Sequence, residues 1–106
     1  MDKRELDRIK TELAQSARVI ACAKRFGTIG DPTAMRICYL LRNHPELSVG
    51  EIAELVGVSI SAASRSLKKM REAEFVQARR DKKTVFYRLQ NNSCTRIVLS
   101  ELEAAS

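Results

Sequence analysis

Histidine is nearly missing from this chain: His44 is the only one in 106 residues. It stands beside Pro45 in a loop, where a solvated side chain is the ordinary reading. Zinc-like ions want imidazole or thiolate ligands at close spacing, so neither a metal site nor a cofactor is expected. Cysteine is scarce as well. Cys22, Cys38 and Cys94 are odd in number and far apart, which argues against a secreted disulfide framework and fits thiols in a reducing compartment. No apolar run approaches the roughly 20 residues that span a bilayer. The opening stretch MDKRELDRIK alternates in charge and lacks a signal peptide's apolar core, so a cytoplasmic protein with no membrane partner is expected. There is no glycine-rich phosphate loop, no histidine paired with a nucleophile and no cluster of carboxylates, so an enzyme is not expected. Internal repeats and low-complexity stretches are absent too.

What the chain does have is helical periodicity and a concentrated charge. Residues 1–106 fit one domain, small enough that long amphipathic end helices favour an oligomer. Leu6, Ile9, Leu13, Ala17 and Ile20 recur at helical spacing, with Val19, Cys22 and Phe26 widening the stripe. This predicts one long helix from Asp2 to about Phe26, broken by Gly27 and Gly30. Asp31-Pro32 starts a second helix, with Asp31 as N-cap and Pro32 in the first turn. Met35, Ile37, Cys38, Leu40 and Leu41 supply its buried face, and it stops before Asn43-His44-Pro45. Ser48 and Glu51 have capping-box spacing and open a third helix. Its inward residues are Ile52, Leu55 and Val56, and Gly57 ends it. Ser59 or Ser61 caps the fourth helix, whose apolar stripe is Ala63, Leu67 and Met70.

Phe75 to Arg80 and Thr84 to Leu89 alternate as strands do, turning at Asp81-Lys82-Lys83. Val76/Ala78 and Val85/Tyr87/Leu89 each share a face. Asn91-Asn92-Ser93 begins a last helix with Cys94, Val98, Leu102 and Ala105 in register and Ile97 beside them. The first and last helices both carry apolar faces with little left to pack on, and pairing them across a two-fold axis would bury both. The expected fold is mainly α with a small β-hairpin (α+β). It is a winged helix-turn-helix of five helices and a two-stranded wing, dimerising through its first and last helices. Residues 48–74 form the helix-turn-helix, 75–89 the wing, and 1–26 and 91–106 the dimerisation helices.

Charge gives this pattern its meaning. Between Arg65 and Arg88 lie nine basic residues against three acids, while the remaining residues carry ten of each sign. The whole net charge of +6 therefore sits on the fourth helix and the hairpin. That is the electrostatic footprint of a recognition helix and wing on a phosphate backbone. A recognition helix enters the major groove by its N-terminal end, which must be small and polar to approach closely. Ser59, Ser61 and Ser64 meet that need. Arg65 can reach a base edge, the commonest such contact being arginine to guanine. Lys68 and Lys69 lie further along and suit phosphates, which position a protein without reading sequence. Arg79, Arg80, Lys82 and Lys83 of the wing suit the minor groove or its phosphates. The alternative class is a winged-helix protein-interaction module without specific DNA binding, and the basic helix speaks against it.

Several stretches also resemble a known family. Gly30-Asp31-Pro32-Thr33 with Arg36-Ile37 is one, and Glu46-Leu47-Ser48-Val49-Gly50-Glu51-Ile52-Ala53 is another. Val58-Ser59-Ile60-Ser61, Ser64-Arg65, Leu67-Lys68, Arg71-Glu72-Ala73 and Val85-Phe86-Tyr87-Arg88-Leu89 follow in order. From about Ala23 to Leu89 the chain resembles the ArsR/SmtB family of winged-helix regulators. The resemblance implies a homodimeric repressor on an inverted-repeat operator in double-stranded DNA, leaving when an inducer binds. Two residues depart from the family pattern, Glu74 and Lys82, where relatives often have glycine. A positive φ at Glu74 would bring strain.

The sensing site is where the resemblance thins. Ser48 and Gly50 occupy positions at which many relatives place metal-binding cysteines, so thiolate ligation there is excluded. The last helix has Glu101 and Glu103 but none of the histidines of the family's zinc site. Thiol-switch relatives pair a cysteine on the second helix with one late in the last. Cys38 stands one position off that pattern and Cys94 comes too early. Cys38 reads as core packing. Cys22 and Cys94 lie on the expected dimer helices, and Cys94 falls in a first helical turn, where the dipole favours a thiolate. The three cysteines are candidates for a thiol sensor; the plainer reading is that all are small hydrophobes.

Overall fold

The computed structural model describes residues 1–104. Its elements run α1 (Lys3–Gln15), α2 (Ala17–Ile29), α3 (Pro32–Asn43), β1 (Leu47–Ser48), α4 (Val49–Val56), α5 (Ile60–Glu72), β2 (Val76–Asp81), β3 (Thr84–Leu89) and α6 (Ser93–Ala104). This is a winged helix-turn-helix, but with six described helices rather than five and a third short strand. Ala105, expected on the apolar face of the last helix, lies outside the described residues.

The extra helix arises at Ser16. Its backbone leaves the helical region (φ −65°, ψ 115°), and its Oγ accepts the Val19 N–H at 3.3 Å, capping α2. Serine competes well for such local bonds, which favours caps over helix interiors. The apolar stripe continues in phase across the break, so periodicity alone reads a single helix. Gly27 does not interrupt α2, which runs on to Ile29 and ends at Gly30.

The core gathers under α5. Ala63, Leu67 and Met70 on its lower face are buried with Ile37, Cys38 and Leu41 of α3, Ile52 and Ala53 of α4, and Phe75 and Val76 beyond it. Val98 of α6 and Ile29 of α2 close the ends. Leu55, expected to face inward, is 61% exposed. The two-turn helix α4 turns Ile52 and Ala53 inward, leaving Leu55 beside Tyr39, Leu40 and Leu102 around a shallow apolar hollow.

The expected capping box is complete. Ser48 Oγ accepts from Glu51 N–H at 3.2 Å, and the Glu51 carboxylate accepts from Ser48 N–H at 2.9 Å. Asp31 caps α3 in the same way, accepting from Ala34 N–H at 3.1 Å. The antiparallel sheet has the order β1-β3-β2. Leu47 pairs with Tyr87, and Val76, Ala78 and Arg80 pair with Leu89, Tyr87 and Val85. The strand β1 is two residues long, too short to leave a periodic signal. Glu74 (φ 65°) and Lys82 (φ 58°), the two residues that depart from the family pattern, both sit in the left-handed region, so the condition for strain at Glu74 is met.

Two outcomes follow. Lys82→Gly should raise stability by about 0.5–1 kcal/mol in chemical denaturation, by relieving the left-handed strain net of glycine's entropy. The Ser48 N–H, then the Ser48 hydroxyl, hold the Glu51 carboxyl below the usual carboxylate range. A depressed pKa contributes stability above the unfolded value and loses it as pH falls through the folded value. Glu51→Ala should therefore lower the melting temperature at neutral pH, and the gap should close as the pH falls below about 4.

Candidate nucleic-acid interface

The turn before α5 sets the angle of the recognition helix. Gly57 ends α4 at φ 80°, a conformation open to glycine at little cost. The N–H groups of Gly57 and Val58 both bond Ala53 O, at 2.9 and 3.0 Å. Arg36 Nη1 reaches Val56 O at 3.4 Å, so a side chain from α3 helps close the end of α4. Ser59 then caps α5, its Oγ accepting from Ala62 N–H at 3.0 Å. This decides between Ser59 and Ser61.

Because Ala63, Leu67 and Met70 face the core, the residues between them face out. Ser61, Ser64, Arg65, Lys68 and Lys69 are all exposed on α5. Among the described residues, none of these five side chains takes an internal hydrogen bond or ion pair. Arg65 and Lys69 also edge a shallow hollow where α5 meets the joint between α2 and α3, near Thr28 and Thr33. An unpaired, solvated row of three cations beside two small hydroxyls can approach phosphates and base edges with little to undo first.

The wing is different. Arg79 is engaged: its Nη2 and Nε donate to the two Glu46 carboxylate oxygens at 2.5 and 3.3 Å. Its guanidinium also lies over the Phe86 ring, 4.9 Å from the centroid. The bond to Arg79 holds the Glu46 carboxyl below its ordinary range, and the same pair raises the Arg79 pKa. Arg80 Nε donates to Lys82 O at 3.3 Å inside the wing turn. Lys82 and Lys83 project from the tip and are exposed. The structure thus brings the α5 residues together as one open face, while Arg79 and Arg80 are partly spent on shaping the wing. Glu46 was missed as a site residue. It lies 33 residues before its partner, in a stretch without periodicity, and only its place in the family pattern marked it.

The three thiols separate. Cys38 is fully buried in the core, and burial pushes its thiol up to about 12. Cys22 is exposed on α2, and Cys94 is half-buried in the first turn of α6. Arg25, which carried no expectation, donates to Cys94 Sγ at 3.4 Å and pairs with Glu74. Its partners lie far along the chain, so helical spacing could not disclose it. Among the described residues, no three His, Cys, Asp or Glu side chains stand together to hold a metal ion. No described helix is long and apolar enough to cross a membrane.

Comparison with known proteins agrees with this geometry. The family model "Bacterial regulatory protein, arsR family" matches residues 31–78, which hold α3, the helix-turn-helix and the start of the wing. The chain is 38% identical over 74 residues to the HTH-type transcriptional regulator KmtR of Mycobacterium tuberculosis, covering 70% of this chain but 56% of KmtR. It is 30% identical over 89 residues to the HTH-type transcriptional regulator YgaV of Escherichia coli, covering 83% of this chain and 90% of YgaV. A homodimeric winged helix-turn-helix DNA-binding domain from Mycobacterium bovis superposes with a TM-score of 0.76 at 23% identity, over 86% of this chain and 83% of that one. Sequence pattern, fold and relatives converge: the chain belongs to the arsR family of bacterial regulatory proteins, winged-helix regulators of transcription.

Proposed function

We propose that the protein is a cytoplasmic homodimeric repressor that binds an inverted-repeat operator through α5 and the wing, and that an inducer releases it. The observation that carries this reading is the open face of α5. Its cations are unpaired and its core side is sealed, so binding to DNA breaks no internal contact on the helix. Ser61, Ser64 and Arg65 are the readers of base edges, with Ser59 at the entering end. Lys68 and Lys69 are phosphate anchors, as are Lys82 and Lys83 at the wing tip. Arg79 and Arg80 stiffen the wing and present its flank. The whole described chain works as one such unit, with the end helices serving assembly.

Dimerisation through the end helices is supported by shape and exposure. The radius of gyration is 17.3 Å, against about 13 Å for a compact chain of this length. No residue of α1 is buried. Leu6 and Leu13 of α1, Val19, Ile20 and Phe26 of α2, and Ile97 of α6 are all exposed. So much apolar surface on an ordered helix pair fits a face covered by a second copy.

Binding to duplex DNA across a salt series tests the reading. The affinity should fall steeply with salt, and an inverted repeat should be preferred. Arg65→Ala should cost about 1–3 kcal/mol and relax preference at one base position, while Lys68→Ala should weaken all duplexes alike and reduce the salt slope by about one. Weak binding that is flat with salt and sequence would favour a protein-interaction module instead. Sedimentation addresses the dimer separately. Leu13→Asp should shift the protein towards monomer with its helical content retained, because Leu13 is exposed in the single chain.

A further inference from the structure

Glu46 and Arg79 meet on the wing because of its strand order. β3 lies between β1 and β2, and Phe86 pairs with Ser48 on one side and with Arg79 on the other. Residues two apart in a strand share a face. Ser48, Gln77, Arg79, Phe86 and Arg88 therefore line one face of the sheet, and Glu46, just before β1, reaches it. The two arginines on that face are treated differently. Arg88 Nε donates to Gln77 Oε1 at 3.1 Å, a neutral partner that leaves its charge whole. Arg79 grips both Glu46 oxygens through Nη2 and Nε, at 2.5 and 3.3 Å, and its guanidinium lies over Phe86. A single-point surface pair contributes little, but a forked pair with a stacked plane is fixed along one edge and one face. The acid is anchored in turn, since Leu47 and Ser48 pair with β3 and Ser48 caps α4. Among the described residues, Arg79 Nη1 takes no hydrogen bond.

We propose that Glu46 is a specificity-determining residue: it withholds the charge of Arg79 from sequence-blind attraction to DNA and orients the remaining Nη1 edge for one backbone phosphate of the operator. The inference rests on the operator binding proposed above. Its physical basis is that charge and geometry act on different duplexes. Sequence-independent binding follows the number of phosphates that free cations neutralise, with release of their counterions. A guanidinium already neutralised by a carboxylate releases few, so Arg79 adds little on an arbitrary duplex. On the operator, base contacts from α5 set the register, and the wing comes to rest at one place on the backbone. A fork oriented beforehand then meets its phosphate without losing rotamer freedom. A mobile arginine would meet any phosphate nearly as well. Lys82 and Lys83 at the wing tip are cations of that second kind, exposed and without an ion pair among the described residues.

The test uses the full chain, a duplex that the wild type selects from a random library, and a scrambled duplex of equal length. Glu46→Gln keeps an oxygen for the fork and removes the charge. It should bind the scrambled duplex about threefold or more tighter at about 50 mM salt and steepen the salt slope there by about one. Affinity for the selected duplex should stay within about twofold, so that discrimination falls. Adding Arg79→Gln restores the net charge. The double variant should return to wild-type affinity and slope on the scrambled duplex, yet bind the selected one about threefold or more weaker. Any other pattern overturns the proposal. A gain that survives Arg79→Gln makes Glu46 a distant charge. Equal gains on both duplexes leave it without a part in specificity, and losses on both make it a brace for the wing. A double variant with full affinity for the selected duplex removes the phosphate contact of Nη1. A wild type that selects no duplex and binds the scrambled one without salt dependence sinks the operator reading itself. A salt-steep wild type whose Glu46→Gln variant behaves identically sinks this inference alone.

Discussion

Sealing the lower face of α5 is the constraint on which everything else hangs. Leu67 and Met70 are fully buried against Ile37, Ile52 and Phe75, and a helix so fixed has no freedom to rotate. The outward direction of Arg65, Lys68 and Lys69 is therefore a consequence of apolar packing, not of any polar contact they make. Burying side chains of this size contributes about 1.5–3 kcal/mol each, far more than the charges on the opposite face could contribute from water. The hydrophobic effect aims the helix, and electrostatics then acts through what has been aimed.

The elements that could be read in the sequence were those whose signal is local. The Ser48–Glu51 box, Asp31-Pro32, Gly57 and the stripe of α5 each lie within one or two turns of what they control. The alternation in β2 and β3 belongs to the same class. What escaped was of three kinds. The break at Ser16 and the two residues of β1 are too short to disturb a periodicity. Glu46 on Arg79 and Arg25 between Cys94 and Glu74 are contacts between distant residues, and no spacing rule announces those. Leu55 is a third case: its helix has only two turns, so one apolar residue more than the core can take is left at the surface.

Two acids, one outside the basic region and one within it, are as informative as the bases. Glu46 occupies one wing arginine and Glu74 engages Arg25 at the end of the recognition helix. The first takes a cation of the basic region for a structural duty, whereas the second draws its cation from α2. The two pairs offset each other in the region's net charge, and its unpaired cations are concentrated on α5 and the wing tip.

Ser48 carries a consequence for the evolution of specificity. Ser48, which by the family resemblance stands where a metal-binding thiol would be placed, is the N-cap of α4. A hydroxyl accepts a backbone N–H well, whereas sulfur is a weak acceptor, and losing such a cap costs about 1 kcal/mol. Helix initiation and soft-metal capture therefore compete for one side chain. A lineage that changes this serine to cysteine trades apo-state order at the entrance to the helix-turn-helix for a ligand whose binding must restore it.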